Sequence, residues 1–222
     1  MSSASIVIPI YQSAATLRRS LDSISQHVSR QIYELEVIAV LDGDDQHCLT
    51  ILEEWCAGNT LRTRIEIMPK LGVAAARNRG VELSQAENIA FLDSDDEITP
   101  QRLNWMFSDL RGELLVGKQE VILESGIEYA AGLLHPSDFH LMSFIMNRLD
   151  FIKLGGFAAE YSAGTEWDLA IRASDAGLKV RKIDQVFVKR YIHSGNASHM
   201  NSLVKDEHLK AIREHIQRKR MN

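Results

Sequence analysis

Three carboxylates lie close together in the segment Asp93-Ser94-Asp95-Asp96, which directly follows the mostly apolar residues 88–92. Carboxylates at the first and third positions of a short turn can face the same small volume. There they offer the oxygen ligands that Mg²⁺ and Mn²⁺ prefer, often beside the phosphates of a substrate. This segment, here called the acidic loop, could therefore hold a divalent cation.

A structural interpretation of the acidic loop stands beside the chemical one. Aspartate often forms Asx turns, and negative charge favours the N-terminus of a following helix. Thr99-Pro100 is a suitable N-cap and first helical position, so a helix is expected to start there. Taken alone, the loop fits a turn better than a cation site, and its surroundings must decide.

The elements that would position this loop alternate between strand and helix patterns. β-branched and apolar runs predict buried strands at residues 5–10, 35–41 and 88–92, and alternation predicts a further strand at residues 64–68. Apolar spacing predicts helices after the first three strands in chain order, around residues 17–28, 49–55 and 73–83. This order indicates an α/β fold with a mainly parallel central sheet flanked by helices. Ligands of such sheets collect beyond the carboxyl ends of strands, where Asp42 and the acidic loop both lie.

The second half of the chain is less regular. Strands are predicted within residues 112–124 and 141–147, and again at residues 179–183 and 186–191. A helix is predicted at residues 166–176, ending before Gly177, and a polar helix at residues 202–220.

Composition excludes several classes of protein. The net charge of −5 argues against general nucleic-acid binding, which requires a basic surface. Cys48 and Cys56 lie too far apart in a predicted helix to form a disulfide there, so a reducing, cytoplasmic setting is expected. No signal peptide is recognised, and no run of about 18 apolar residues predicts a membrane span.

Four segments together resemble the family 2 glycosyltransferases, which have the GT-A fold. They are IVIPIY at residues 6–11, KLGVAAARNRG at 70–80, DSDDE at 93–97 and FIKLGGF at 151–157. Each segment alone is weakly specific, but the four occur in the family's order and on the expected elements. The resemblance spans residues 5–198 and implies a single Rossmann-like GT-A domain. It would comprise a nucleotide-binding half at 1–100, an acceptor and catalytic half at 101–200 and a C-terminal helix at 201–222.

The resemblance implies transfer of a sugar from a nucleotide-diphosphate sugar, UDP-linked, to an acceptor hydroxyl. The residues expected to contact the donor are Pro9, Tyr11, Asp42, Lys70, Arg77, Asp93 and Ser94. Within this set, Pro9 and Tyr11 would border the base, Asp42 would accept a hydrogen bond from the base or ribose, and Arg77 would reach the base or diphosphate. Lys70 stands where the family commonly has asparagine.

The resemblance also implies a metal-dependent, inverting reaction. Asp95 is expected to bind Mn²⁺ or Mg²⁺, and His193, just after a predicted strand, is a second candidate ligand. A lone histidine is equally compatible with a surface or core position.

The general base is expected at the start of the helix that begins near Thr165. The family's usual Glu-Asp pair reads Thr165-Glu166 here, so Glu166 is the first candidate and Asp168 the second. A carboxylate at a helix N-terminus is also favoured by the helix dipole alone. Trp167 could stack on a sugar, although a core position is slightly favoured.

Several questions of function stay open on the sequence. The acceptor, which could be a saccharide, a lipid-linked molecule or a small molecule, is unidentified, as is the oligomeric state. The basic residues of the C-terminal helix could touch anionic lipid, although a solvated helix explains them more simply. A sugar nucleotidyltransferase is disfavoured because residues 11–15 contain no glycine for a phosphate loop. A degenerate, non-catalytic nucleotide-sugar-binding protein is the remaining alternative.

Overall fold

The first hundred residues build one side of a continuous sheet. The computed structural model describes residues 2–27, 34–125, 141–159 and 164–193. The strands are β1 Ala4–Ile10, β2 Leu35–Asp42, β3 Arg62–Met68 and β4 Asn88–Phe91. They pair in parallel in the order β3-β2-β1-β4. The connecting helices are α1 Ala14–Ser25, α2 Gln46–Ala57 and α3 Val73–Leu83. The predicted elements of this half are confirmed.

The second half extends the sheet with mixed pairing. Its strands are β5 Glu97–Ile98, β6 Glu113–Leu123, β7 Ile145–Asn147 and β8 Lys179–Ile192. Its helices are α4 Pro100–Trp105, α5 Arg148–Lys153 and α6 Thr165–Asp175, with a 3₁₀ turn at Leu141–Ser143. β7 is antiparallel to β4 and β6, whereas β8 runs parallel to β6 and antiparallel to β5. The sheet is thus α/β as predicted, parallel in its first four strands and mixed beyond them.

β8 corrects one prediction of the sequence. Residues 179–183 and 186–191 were expected to form two strands, but they belong to one strand of 14 residues. The polar residues between them fall where the pairing with β6 shifts register, on either side of Lys118. Gly117 lies at that irregularity, and a Cβ there would come within 2.1 Å of the Phe187 ring. An irregularity of the β-bulge type, which is recognised only from the pairing with β6, therefore lies where the sequence predicted a break between two strands.

Pro9 is buried in a central strand, a position where proline usually removes a ladder hydrogen bond. The Leu92 amide donates to the Val7 carbonyl, so the backbone polar groups of Val7 point towards β4. Pro9, two residues further along the strand, has its backbone nitrogen on the same side. β4 pairs with β1 only as far as Val7. The amide hydrogen that proline lacks would thus point beyond the end of the β4 ladder, and β1 tolerates the proline.

The core lies on both faces of the sheet, which explains why β1, β2 and β4 are buried along their whole length. One face of β1 packs against Leu17, Leu21 and Ile24 of α1. On the opposite face, α3 approaches so closely that a Cβ on Gly80 would lie 2.2 Å from Val7 Cγ1. The absence of a side chain at Gly80 therefore allows the short distance between α3 and β1.

Four phenylalanines join the end of β4 to the second half of the chain. The Phe91 ring lies 5.4 Å from Phe144, 5.6 Å from Phe151 and 5.0 Å from Phe157, measured between centroids. Edge-to-face contacts of this kind add to the hydrophobic burial of the rings.

In the part of the chain that the structure describes, no helix is both long enough and apolar enough to cross a membrane. The helix predicted at residues 202–220 lies outside the described residues.

Candidate functional site

The acidic loop leaves the carboxyl end of β4, beside β1. The chain turns from β1 towards β2 on one side and from β4 into the second half on the other, which makes this edge a switch point of the sheet. Ligands bind at such crevices in open α/β sheets.

Asp95 and His193 meet at this edge although 98 positions separate them in the sequence. His193 Nε2 lies 3.2 Å from Asp95 Oδ2. The side chains are 21% and 26% exposed, so both are shielded and yet reachable from solvent. Two predicted metal ligands are thus neighbours in space.

The electrostatics of the loop reflect three carboxylates in a small, shielded volume. Burial raises the pKa of Asp95 above its ordinary value of 3.8, and the charge of Asp93 raises it further, whereas the hydrogen bond with His193 lowers it. Burial also raises the pKa of Asp96, well above the ordinary value, with added repulsion from Asp93 and Asp95. Asp96 Oδ1 accepts a hydrogen bond from the Tyr191 amide at 3.0 Å. A cation would relieve this concentration of negative charge.

The donor set fits Mg²⁺ or Mn²⁺. The Asp95 carboxylate is a ligand that suits Mg²⁺ or Mn²⁺, while the His193 imidazole is a ligand of the kind that transition metals bind. Within the described ranges no group of three or more His, Cys, Asp or Glu residues forms a complete cage. Mg²⁺ usually keeps several waters and binds through one or two carboxylates together with substrate phosphates.

Arg77 pairs with Asp93 in this structure. The guanidinium is buried, and its Nη2 donates to Asp93 Oδ1 at 2.7 Å. The Arg77 guanidinium also lies 5.5 Å from the centre of the Phe157 ring. Arg77 was expected to reach the base or diphosphate. In this structure its contact with the acidic loop is made through Asp93.

A cavity of about 520 Å³ opens at the carboxyl ends of β1 and β2. Residues 10–12, Ala14 and residues 42–47 line it. Gln12 in its wall has a φ of 49°, the one positive value among the described residues other than glycine. Such backbone strain tends to occur at ligand sites. The predicted donor residues Tyr11 and Asp42 border this cavity, whereas Pro9 lies buried in β1 and is not part of its lining.

Asp42 fixes the loop that precedes α3. Its Oδ1 accepts the Leu71 amide at 2.6 Å, and its Oδ2 accepts the Gly72 amide at 2.9 Å. A carboxylate has about four acceptor positions, so these bonds leave capacity for a ligand. Lys70 of the same loop places Nζ 4.0 Å from the centre of the Tyr11 ring and contacts its hydroxyl. Tyr11 and Lys70, which were both predicted to contact the nucleotide-sugar donor, therefore contact each other beside the cavity.

The two catalytic candidates on α6 have different surroundings. Glu166 is half-buried in the first turn, after Gly164, whose φ is 77°. Asp168 is buried and pairs with Arg172, whose Nη2 lies 2.6 Å from Asp168 Oδ2. The same Nη2 donates to the Gly156 carbonyl at 2.7 Å. Trp167 is 44% exposed, so the slight preference for a core position was wrong.

Two basic residues near the loop were missed by sequence reasoning. Arg102 on α4 is fully buried, and its Nη2 donates to the carbonyls of Met142 and Phe144. Burial lowers the pKa of Arg102 to about 9, while the charges of Asp93 and Asp96 act in the opposite direction. Arg19 on α1 donates to the Asp95 carbonyl at 2.8 Å. No sequence signal marks Arg102, whereas Arg19 belongs to a helical stripe of polar residues.

Comparison with a family model and with known proteins points to a single family. A family model described as glycosyl transferase family 2 matches residues 5–163, more than half of the chain. Chondroitin synthase of Pasteurella multocida strain Pm70 is 24% identical over 98% of this chain and 24% of its own length. Poly(ribitol-phosphate) beta-N-acetylglucosaminyltransferase TarP of Staphylococcus aureus strain N315 is 25% identical over 65% of this chain and 48% of its own. The chain thus spans less than half the length of either relative.

Solved structures show the same fold. S. aureus TarS 1-349 in complex with UDP-GlcNAc superposes with a TM-score of 0.74 at 16% identity, covering 96% of this chain and 65% of that one. The expected GT-A fold is confirmed.

Proposed function

The chain belongs to glycosyl transferase family 2, and we propose that it moves a sugar from a UDP-linked donor to an acceptor hydroxyl with the help of a divalent metal. The observation that carries this proposal is the meeting of Asp95 and His193 beside Asp93, at the edge of the sheet where β1 and β4 end. The TarS structure with UDP-GlcNAc supports a nucleotide-sugar donor, because that protein has the same fold.

We assign the cavity at the ends of β1 and β2 to the nucleotide. Tyr11 and Asp42 in its wall, with Lys70 at its mouth, would contact the base and ribose. We keep Pro9 as a supporting residue, because it is buried in the strand that presents Tyr11. The diphosphate would extend from there towards the acidic loop, where Asp93, held by Arg77, and Ser94 face the sugar end of the donor.

Asp95 and His193 would hold Mn²⁺ or Mg²⁺. When bound, the metal neutralises the negative charge that builds on the diphosphate as it departs. Arg77 would add a fixed positive charge close by, oriented through its ion pair with Asp93. Charges arranged before the reaction in a shielded site are worth more than the same charges in water.

We propose Glu166 as the general base. Its carboxylate would accept the proton of the acceptor hydroxyl while the hydroxyl oxygen bonds to the anomeric carbon and the bond to the diphosphate breaks. Attack from the side opposite the leaving group inverts the anomeric configuration. Asp168 is proposed as a positioning residue, because its pairing with Arg172 ties α6 to the carbonyls of residues 154 and 156.

A thermal-shift panel tests the donor site. Ligands that bind only the folded state stabilise it, by about 2.7 kcal/mol at 100 times their Kd. We expect UDP with Mn²⁺ to raise the Tm more than either alone, and more than other nucleoside diphosphates with Mn²⁺. Asp95→Asn and His193→Ala should each lose the increment that Mn²⁺ adds. If no nucleotide changes the Tm, the proposed donor site is wrong.

Hydrolysis of UDP-sugars with Mn²⁺ then separates an enzyme from a binding protein. A transferase without its acceptor is expected to release UDP slowly, and addition of the right acceptor should accelerate the release. Tight donor binding with no release under any acceptor would instead identify a nucleotide-sugar-binding protein that has lost catalysis. The replacement of the family's usual Glu-Asp pair by Thr165-Glu166 makes this second outcome worth testing.

A further inference from the structure

Helix α1 has a second stripe besides its apolar one. Thr16, Arg19, Ser20 and Ser23 are spaced as one helical face, and we call them the α1 polar stripe. Ser20 and Ser23 are almost fully buried, which is unusual for hydroxyl side chains unless they are hydrogen-bonded. Ser20 bonds to the acidic loop, and Ser23 bonds to the Ser20 carbonyl within α1 and to Ile98 of β5.

The α1 polar stripe contacts three successive carbonyls of the acidic loop. Ser20 Oγ donates to the Asp93 carbonyl at 3.1 Å, and Thr16 Oγ1 donates to the Ser94 carbonyl at 3.0 Å. Arg19 Nη2 donates to the Asp95 carbonyl at 2.8 Å. The stripe therefore holds the backbone of the loop and leaves the Asp93 and Asp95 carboxylates pointing elsewhere.

The stripe also secures β5, the short strand that follows the loop. The Ile98 amide donates to Ser23 Oγ at 3.0 Å. Because Ile98 belongs to β5, which pairs with β8, the same stripe fixes the start of that pairing.

Arg19 joins the loop to the strand end that carries His193. Its guanidinium lies 3.6 Å from the centre of the Tyr191 ring, and its Nη1 donates to Glu124 Oε1 at 3.1 Å. Tyr191 in turn donates its amide to Asp96 and its hydroxyl to Glu97, at 3.0 and 2.6 Å. One side chain on α1 thus contacts both segments that supply the proposed metal ligands.

We propose that the α1 polar stripe, and Arg19 above all, positions Asp95 and His193 for a divalent cation before the cation arrives. This inference rests on the proposed function, since it takes the metal–diphosphate site as given. Groups that orient metal ligands from behind typically change metal affinity about 10–100-fold when they are removed. Arg19 is a positioning residue, because it contacts the loop backbone, the Tyr191 ring and the Glu124 carboxylate.

The chain offers a matched control on the same helix. Arg18, the preceding residue, is exposed, and among the residues that the structure describes its partner is Asp22, one turn along the same helix. Arg18→Met and Arg19→Met remove the same charge from adjacent positions, so a general charge effect would appear in both. Arg19→Lys keeps the charge but lacks the planar fork that bonds two oxygens and stacks on a ring.

The test measures Mn²⁺ affinity by the electron paramagnetic resonance signal of free Mn²⁺, with UDP present, and hydrogen exchange of residues 93–98 in the metal-free protein. Arg19→Met is expected to weaken Mn²⁺ binding about 10–100-fold and to speed exchange in that segment. Arg18→Met should leave both measurements at the wild-type value, and Arg19→Lys should restore neither fully. Ser20→Ala and Thr16→Val provide milder variants in case Arg19→Met does not fold. Each removes one hydrogen bond to the loop backbone, and Thr16→Val also removes the bond from the Thr16 hydroxyl to the Ser13 carbonyl.

Failure of this inference can be distinguished from failure of the proposed function. If the wild-type protein binds Mn²⁺ and the Arg19, Thr16 and Ser20 variants bind it equally well with unchanged exchange, the positioning role is overturned and the metal site stands. If the wild-type protein itself binds no Mn²⁺ with UDP, the metal site is overturned and the inference with it.

Discussion

At the scale of single residues, Asp95 is the group on which opposing effects meet. Burial and the neighbouring Asp93 disfavour its charged form, while His193 favours it. A metal needs the ionised carboxylate, so the protonation of Asp95 competes directly with metal binding. Because the pKa of Asp95 is raised, the proton competes with the metal at a higher pH than it would at an ordinary aspartate.

We therefore expect Mn²⁺ affinity to fall as the pH falls, beginning above the ordinary aspartate value of 3.8. Titrations of Mn²⁺ across the acid range in wild type and in His193→Gln would check this. The glutamine variant removes the imidazole, so the pH dependence that persists in it belongs to the carboxylates. A Mn²⁺ affinity that stays constant until the pH reaches 3.8 would contradict a raised pKa at Asp95.

Glu166 is the residue on which catalysis depends in the proposed mechanism. Glu166→Gln keeps the shape of the side chain but cannot accept a proton, so we expect transfer to fall about 10²–10⁴-fold. The affinity for UDP with Mn²⁺ should stay within a factor of a few. Glu53→Gln, an exposed carboxylate on α2, is the matched control and should change neither quantity. Unchanged turnover in Glu166→Gln would remove Glu166 from the role of base.

At the scale of elements, local sequence predicted most of the parallel half correctly. Strands buried on both faces read as continuous apolar runs, and α1 shows its apolar stripe at helical spacing. The errors lie where pairing is decided by distant partners. The two-residue strand β5 has no local signature, and the single strand β8 depends on a bulge opposite β6.

The fit of α3 against β1 supports a prediction about packing. Gly80→Ala would place a methyl group 2.2 Å from Val7 Cγ1, so either the Val7 side chain or α3 must shift. Overpacking of this kind costs about 1–3 kcal/mol. We also expect weaker UDP–Mn²⁺ binding, because Arg77, one turn earlier on α3, holds Asp93.

Gly58→Ala is the control for this variant. Gly58 ends α2 with a negative φ, and its nearest neighbours are backbone oxygens at 3.6 and 3.7 Å. Its thermal unfolding should stay close to that of wild type. Equal Tm values and equal UDP affinities for Gly80→Ala and wild type would show that α3 can move without consequence.

At the scale of the whole molecule, the site is assembled from segments far apart in the chain. The resemblance identified Asp95 from its motif and offered His193, a lone histidine after a predicted strand, as a candidate, and the fold brings the two to hydrogen-bonding distance. The supporting Arg19 and Arg102 could not be found in the same way. Whether a charged side chain is buried depends on what packs over it, and local sequence does not contain that information.

α3 links the two halves through adjacent residues. Arg77 donates a hydrogen bond to Asp93 in the acidic loop. Asn78 exchanges two hydrogen bonds with the backbone of Phe157, at 2.8 and 2.9 Å, and we call this pair of bonds the Asn78 clamp. Gly156 must be glycine beside this clamp, since a Cβ there would lie 2.7 Å from Asn78 Oδ1. The clamped segment is also bonded by Arg172 of α6, the helix that carries Glu166.

Asn78→Ala should therefore separate donor binding from catalysis. The parallel half keeps its core, so we expect UDP–Mn²⁺ affinity to stay near the wild-type value. Turnover should fall by up to about 100-fold, because a base displaced by roughly 1 Å loses that much. Asn104→Ala, an exposed asparagine on α4, is the control and should behave as wild type. If nucleotide affinity falls together with turnover, Asn78 supports the donor site instead. If the Asn78 and Asn104 variants have equal turnover, the clamp does not position α6.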